Sequence, residues 1–152
     1  MPYVEVYPFR FRENRLEYLF LRRADHEAKY PGTWQIITGT REEHESAVDA
    51  AKRELKEETG LSPLRMWTVP SVGSFHDPRT DNVNMLALFA VQVGDEWEPN
   101  VSQEHSAFQW ADERRGSALL VWPAQRAALS MVHSLIATGS QTALWSRLKS
   151  HE

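Results

Sequence analysis

The sequence predicts an α/β fold, a mixed sheet with helices packed against its faces. Three observations lead there. Apolar residues alternate or run together over strand-length stretches: Tyr3 to Phe11, Leu16 to Leu21, Trp34 to Thr38, Leu64 to Phe75, Met85 to Val93 and His105 to Trp110. Two other segments, Glu45 to Thr59 and Pro123 to Ala137, read as helices from their apolar spacing and end signals. The elements do not alternate strand–helix–strand–helix, which argues against a doubly wound nucleotide fold.

Each boundary has a local cause. The polar turn Arg12 to Arg15 separates the first two strands, and Ala24 to Thr33, with Pro31–Gly32, reads as a loop. Gly60 is suited to end the first helix, and Pro123 to begin the second. Pro70 and Gly73 break the extended stretch Leu64 to Phe75. His76 to Asn82, with Pro78, and Gly94 to Glu104 are polar loops. Beyond Gly139, Leu144, Trp145 and Leu148 mark one or two further amphipathic turns.

A chain of 152 residues, 41% hydrophobic and 25% charged, fits one domain over residues 1–152 with a core that needs no disulfide. The absence of cysteine excludes thiolate zinc sites and a cysteine nucleophile, and suits a reducing compartment. No signal-peptide pattern and no apolar run of ~20 residues is present, so the expected location is cytoplasmic, without a membrane partner. The net charge is −4, and the basic pairs Arg22–Arg23 and Arg114–Arg115 do not form a dense patch. A nucleic-acid partner is therefore not expected. A small anionic substrate remains open, because a bound divalent metal can supply the local positive charge. The chain has no G-x-S-x-G, H-E-x-x-H, Walker loop or G-x-G-x-x-G, and its six histidines are scattered.

The segment that carries chemistry is GTREEHESAVDAAKRELKEETGL, Gly39 to Leu61. At about 100° per residue, Ala47, Val48, Ala51 and Leu55 share one face. Lys52, Lys56, Asp49 and Arg53 face the other way. Glu54, Glu57 and Glu58 occupy an arc of roughly 100° beside the apolar face. Side chains three and four apart are ~5–6 Å from one another, so Glu54 neighbours both of the others. Three such carboxylates repel, and a hard divalent cation such as Mg²⁺ would relieve that repulsion while bridging to phosphate.

An isolated E-x-x-E-E is more often a soluble helix face. The whole segment, however, fits G-x5-E-x7-R-E-U-x-E-E-x-G-U (U aliphatic) at Gly39, Glu45, Arg53, Glu54, Leu55, Glu57, Glu58, Gly60 and Leu61. A chance match has odds on the order of 1 in 10⁷ at average residue frequencies. The segment resembles the signature of the Nudix hydrolases.

The resemblance implies an α/β/α sandwich in which this box forms a loop–helix–loop. It implies Glu54, Glu57 and Glu58 as metal ligands, with a carbonyl from Thr38 or Gly39 joining them. The metal would be Mg²⁺, with Mn²⁺ able to substitute. One box glutamate, Glu57 or Glu54, would help generate the nucleophile. Arg53 and Glu45 would form an ion pair that sets the loop against the helix. Glu104, just ahead of the last predicted strand, is the choice for a fourth carboxylate, with Glu96 and Glu98 as rivals. Family members often carry glycine where His44 stands and two glycines where Thr38–Gly39 stand, so the conformation of this loop is the open point.

The stretches Trp34 to Gly39 and Glu104 to Trp110 resemble those of bacterial dihydroneopterin triphosphate pyrophosphatases. That likeness implies a substrate such as dihydroneopterin triphosphate or a (d)NTP like dATP, cleaved to a monophosphate and pyrophosphate. Diadenosine polyphosphates and other nucleoside-diphosphate derivatives are the rival substrates. Arg23 is a candidate for phosphate, Trp34 and Phe75 for stacking on a ring, and Gln35 for reading a ring edge or satisfying backbone groups. A monomer or homodimer is expected. A non-catalytic nucleotide sensor is the alternative class, but such a domain typically loses a box glutamate, and here all are present.

Overall fold

The computed structural model describes residues 2–149. Among these described residues there are seven strands: β1 (Tyr3–Arg12), β2 (Arg15–Arg23), β3 (Trp34–Gln35), β4 (Ile37–Thr40), β5 (Arg65–Asp77), β6 (Asn82–Gln92) and β7 (His105–Ala111). Four helices accompany them: α1 (Ala47–Thr59), α2 (Glu113–Leu119), α3 (Pro123–Ala137) and α4 (Gln141–Ser146).

The sheet is mixed. β1 runs parallel to β6, and β5 pairs antiparallel with β6. On its other edge β1 begins antiparallel to β4 and ends antiparallel to β2, through the Arg12–Arg15 turn. The two strands then splay, and the segment 34–40 fills the wedge: β3 pairs with Leu21 and Arg22 of β2, and β4 with Tyr3 to Val6 of β1. β7 lines the far edge of β2. This arrangement brings the start of β7 beside Gln35 of β3 and Glu58 in the last turn of α1.

Strand alternation divides the core in two. Val4, Val6, Leu19, Leu21, Phe89 and Val91 point to one face, where Ala50, Ala51 and Leu55 of α1 cover them. Tyr7, Phe9, Tyr18, Phe20, Leu88 and Ala90 point to the other, under Ala128, Leu129 and Val132 of α3. The result is the expected α/β/α sandwich.

Several boundaries moved, each for a visible reason. α1 starts at Ala47, not Glu45, because Ser46 caps it by accepting from the Asp49 N–H at 3.0 Å. Pro70 does not end β5. It lies where the β5–β6 register shifts, between Thr68 and Val72, and the strand resumes to Asp77. The polar stretch after Phe75 is therefore a hairpin, pairing His76 with Val83 and Asp77 with Asn82. Trp34 to Thr38 is interrupted at Ile36, where the chain changes partner from β2 to β1. The short helix α2, capped by Asp112, carries too little apolar periodicity to be read in advance. The tail does form one more helix, α4, and Leu148 donates from its N–H to the Met66 carbonyl at 2.8 Å.

Candidate active site

The glutamate edge of α1 is held by two sets of contacts. The first centres on Arg53. Its guanidinium donates to both Glu45 oxygens, from Nε at 2.8 Å and Nη2 at 3.0 Å. It also reaches the Thr40 carbonyl at 2.9 Å, Glu54 Oε1 at 3.0 Å and Glu57 Oε2 at 3.2 Å. Glu45 further accepts from the Glu42 N–H at 2.9 Å, which closes the loop before the helix. The hydrogen bonds from Arg53 lower the Glu45 pKa to about 2 and raise that of Arg53.

His44 adopts a left-handed backbone, φ 64°, within this loop. A side chain thus stands where glycine would enter the same conformation without strain. The loop keeps its turn despite the substitution. Thr38 sits in regular β4 pairing opposite Glu5, with its side chain exposed.

Glu54 is buried and rests directly over Gly39, in the space that any β-carbon there would occupy. Burial raises its pKa, against the opposing pull of Arg53. A carboxylate desolvated this way favours a nearby cation when ionised. Glu57 remains exposed at the rim.

Glu58 is held from elsewhere. Its Oε2 accepts from Ser102 Oγ at 2.8 Å, and Nδ1 of buried His105 lies 2.8 Å from the same oxygen, at an angle short of a good hydrogen bond. The other ring nitrogen, Nε2, is 2.9 Å from Gln35 Nε2. If the amide nitrogen donates there, the proton belongs on Nδ1, facing the carboxylate. Burial by itself would raise the Glu58 pKa, but His105 and Ser102 more than offset it and the net shift is downward. Arg23 contributes to the lowering through its charge, while its guanidinium donates to the Lys29 carbonyl at 2.7 Å and to Glu27 at 3.3 Å.

The remaining predicted residues are more dispersed. Gln35 is at the site but engages His105 instead of facing solvent as a free ring-edge reader. Trp34 is half-buried against the α3-side core and bridges to Leu120. Phe75 is exposed on the hairpin and leans on Tyr3, ring centroids 5.6 Å apart. Glu104 has an exposed side chain; its carbonyl accepts from the Ala24 N–H at 2.8 Å. His105 and Ser102 were missed. The signal available was a histidine directly after an acidic residue at a strand start, which by itself does not say which way the ring points.

Among the described residues, no three Asp, Glu or His side chains already converge as a ligand set. Arg53 draws Glu54 and Glu57, while Ser102 and His105 hold Glu58. The residues nonetheless fit a hard cation. The donors are all oxygens, Glu54 is buried, and Gly39 leaves room for its carboxylate.

The family model for the NUDIX domain matches residues 2–130. The chain belongs to the Nudix family. Nudix hydrolases act on pyrophosphate bonds and generally use divalent metal ions. The chain is 28% identical over 105 residues to the nucleoside triphosphatase NudI of Escherichia coli K12, across 64% of this chain and 74% of that protein. It is 38% identical over 85 residues to an octanoyltransferase of Myxococcus xanthus, but that match spans 53% of this chain and only 23% of the other. Among solved structures, a Nudix hydrolase of Listeria monocytogenes superposes with a TM-score of 0.76 at 25% identity, covering 91% of this chain and 96% of that one. The E. coli dihydroneopterin triphosphate pyrophosphohydrolase superposes with a TM-score of 0.64 at 23% identity, over 89% and 95% of the two chains. At that identity the last likeness concerns the fold alone.

Proposed function

We propose that this chain is a Mg²⁺-dependent pyrophosphohydrolase acting on a nucleoside-triphosphate-like substrate, dihydroneopterin triphosphate or a (d)NTP such as dATP. The single observation that carries the reading is the edge of α1. Three glutamates lie within little more than one turn, one buried over Gly39 and one oriented by His105 and Ser102, with Arg53 tying Glu54 and Glu57 to the preceding loop. The likeness to NudI supports a triphosphate as the substrate class.

In this reading Glu54, Glu57 and Glu58 would hold the cation, with the Thr38 or Gly39 carbonyl and Glu104 completing the set. When bound, the ion would offset charge on the phosphate chain and make a water more acidic. Glu57 is the better placed of the two candidate bases. It is exposed where water arrives, whereas Glu54 is lodged against Gly39. The water oxygen bonds to a phosphorus of the α–β anhydride, the bond from that phosphorus to the bridging oxygen breaks, a monophosphate and pyrophosphate result, and the water's proton goes to the carboxylate. Arg23 adds positive charge on the substrate side. Trp34 and Phe75 are the aromatic surfaces for the ring, and Gln35 acts through His105.

The test is a pyrophosphate-release screen over nucleoside triphosphates, dihydroneopterin triphosphate, dinucleoside polyphosphates and nucleotide sugars, with and without Mg²⁺. The reading expects Mg²⁺-dependent release from a triphosphate. Glu57→Gln and Glu58→Gln each lower turnover by about tenfold or more, because loss of a ligand charge weakens the metal, while circular dichroism stays unchanged. Turnover equal to wild type in both variants contradicts it.

A further inference from the structure

The opposite flank of α1 carries a second concavity. Lys52 lies about 140° around the helix from Glu57, at 100° per residue. There it joins Arg65 at the start of β5, and Arg147 and Lys149 in the tail, around a cavity of about 340 Å³. The remaining lining is apolar: Val48, Pro63, Leu64, Met66 and Leu148. Leu64 is 63% exposed although it lies among these side chains. The tail is fixed as one wall, through the Leu148 N–H to the Met66 carbonyl at 2.8 Å and the bridge between Trp67 and Arg147.

The charge lining this cavity is of one sign, in a chain whose net charge is −4. Among the described residues no carboxylate lines this cavity, and none pairs with Lys52, Arg65, Arg147 or Lys149. Four cationic side chains share one apolar lining, and a multivalent anion seated among them is attracted by each. The floor adds a requirement, since a bare hydrated anion gains nothing from Leu64 and Leu148. Pockets of this size and mixed lining suit small molecules with an apolar body and a few fixed polar contacts.

We propose that this cavity is a second ligand site, distinct from the glutamate edge, for a small phosphate monoester with a flat or aliphatic apolar body. It shares only α1 with the catalytic side. Its ligand binds without a divalent metal, because the protein supplies the positive charge.

The test uses 1-naphthyl phosphate as probe and inorganic phosphate as comparison, both in EDTA, with binding followed by calorimetry and by amide shifts in ¹⁵N-labelled protein. The proposal expects saturable binding of 1-naphthyl phosphate, with shifts at Lys52, Leu64 to Met66 and Arg147 to Lys149. Inorganic phosphate binds at least about tenfold more weakly. The double variant Lys52→Glu/Arg147→Glu loses at least about tenfold in affinity, while basal pyrophosphate release and the amide spectrum outside the cavity are kept. If that variant is poorly folded, Arg65→Gln with Lys149→Gln reads the same loss with milder changes. Three results overturn the proposal: no saturable binding to the folded wild type, shifts confined to the Glu54–Glu58 edge, or equal affinity in the charge variants. None of these depends on which triphosphate the active site takes.

Discussion

Glu54 and Glu58 stand one turn apart on α1, yet different parts of the chain hold them. Glu54 is gripped by its own neighbourhood: Arg53 beside it, Gly39 beneath it, and Glu45 at the far end of the same guanidinium. Glu58 is held by Ser102 and His105, more than forty residues away, with Gln35 behind the imidazole. The first arrangement is local and charge-rich. The second depends on β7 reaching β2 and on β3 sitting in the wedge between β1 and β2. The contrast shows how one row of glutamates can be held partly by a contiguous motif and partly by the sheet.

Breaking the local half should do the most damage. Arg53→Ala frees Glu45, Glu54 and Glu57 together. Groups that orient metal ligands typically contribute 10–100-fold in affinity or activity, and this one residue touches two of the three glutamates, so kcat/KM should fall about 100-fold. Steady-state kinetics beside a thermal melt check this, and a loss under threefold with an unchanged melt removes Arg53 from the account. Gly39→Ala strikes the same half by driving a methyl into Glu54, and metal affinity should fall with it.

The long-range half should respond more mildly. Outer partners of metal ligands typically contribute 10–100-fold in affinity or activity. His105→Ala should therefore weaken Mn²⁺ binding by about tenfold and lower kcat more than it changes KM, with partial rescue in His105→Gln. Wild-type metal affinity in the alanine variant would make His105 a packing residue only.

A smaller effect separates the two halves by pH. The Glu45 carboxyl titrates near 2 in the folded chain, against an ordinary value of 4.5. Its pairing with Arg53 thus stabilises the fold above about pH 4.5 and is lost as pH falls towards 2. Carboxyl NMR titration should show this depression, and it should shrink in Arg53→Ala, leaving the part due to the Glu42 N–H. A Glu45 titrating at its ordinary value in the wild type would break the pairing.

The smallest expected change is at His44. A left-handed backbone costs an L-residue about 1–2 kcal/mol, and glycine's extra chain entropy costs ~0.5–1 kcal/mol, so His44→Gly should gain about 0.5 kcal/mol. A lowered melting temperature would mean that the imidazole has a role of its own.

How much of this could be read beforehand follows the same division. The glutamate edge and the helix stop at Gly60 lie within one contiguous segment, where helical periodicity and end signals fix the geometry, and the Arg53–Glu45 pair followed from that segment's resemblance to a known signature. The two-faced core was legible because strand alternation is local too. The Glu58–His105–Gln35 contact was not, because it depends on strand register, and a slip of one residue would turn His105 to the other face. Gln35 was placed at the site, but its partner was hidden for the same reason. The cationic cavity was likewise out of reach: Lys52, Arg65 and Arg147 are far apart in the chain and meet only when the tail docks along β5.

The most direct measurement is a Mn²⁺ titration of the wild type beside Glu54→Gln, Glu57→Gln and Glu58→Gln, by calorimetry on folded protein. The account predicts saturable binding in the wild type, weakened by about tenfold or more in each variant. Equal affinity across all four proteins, or no binding in the wild type, would contradict it.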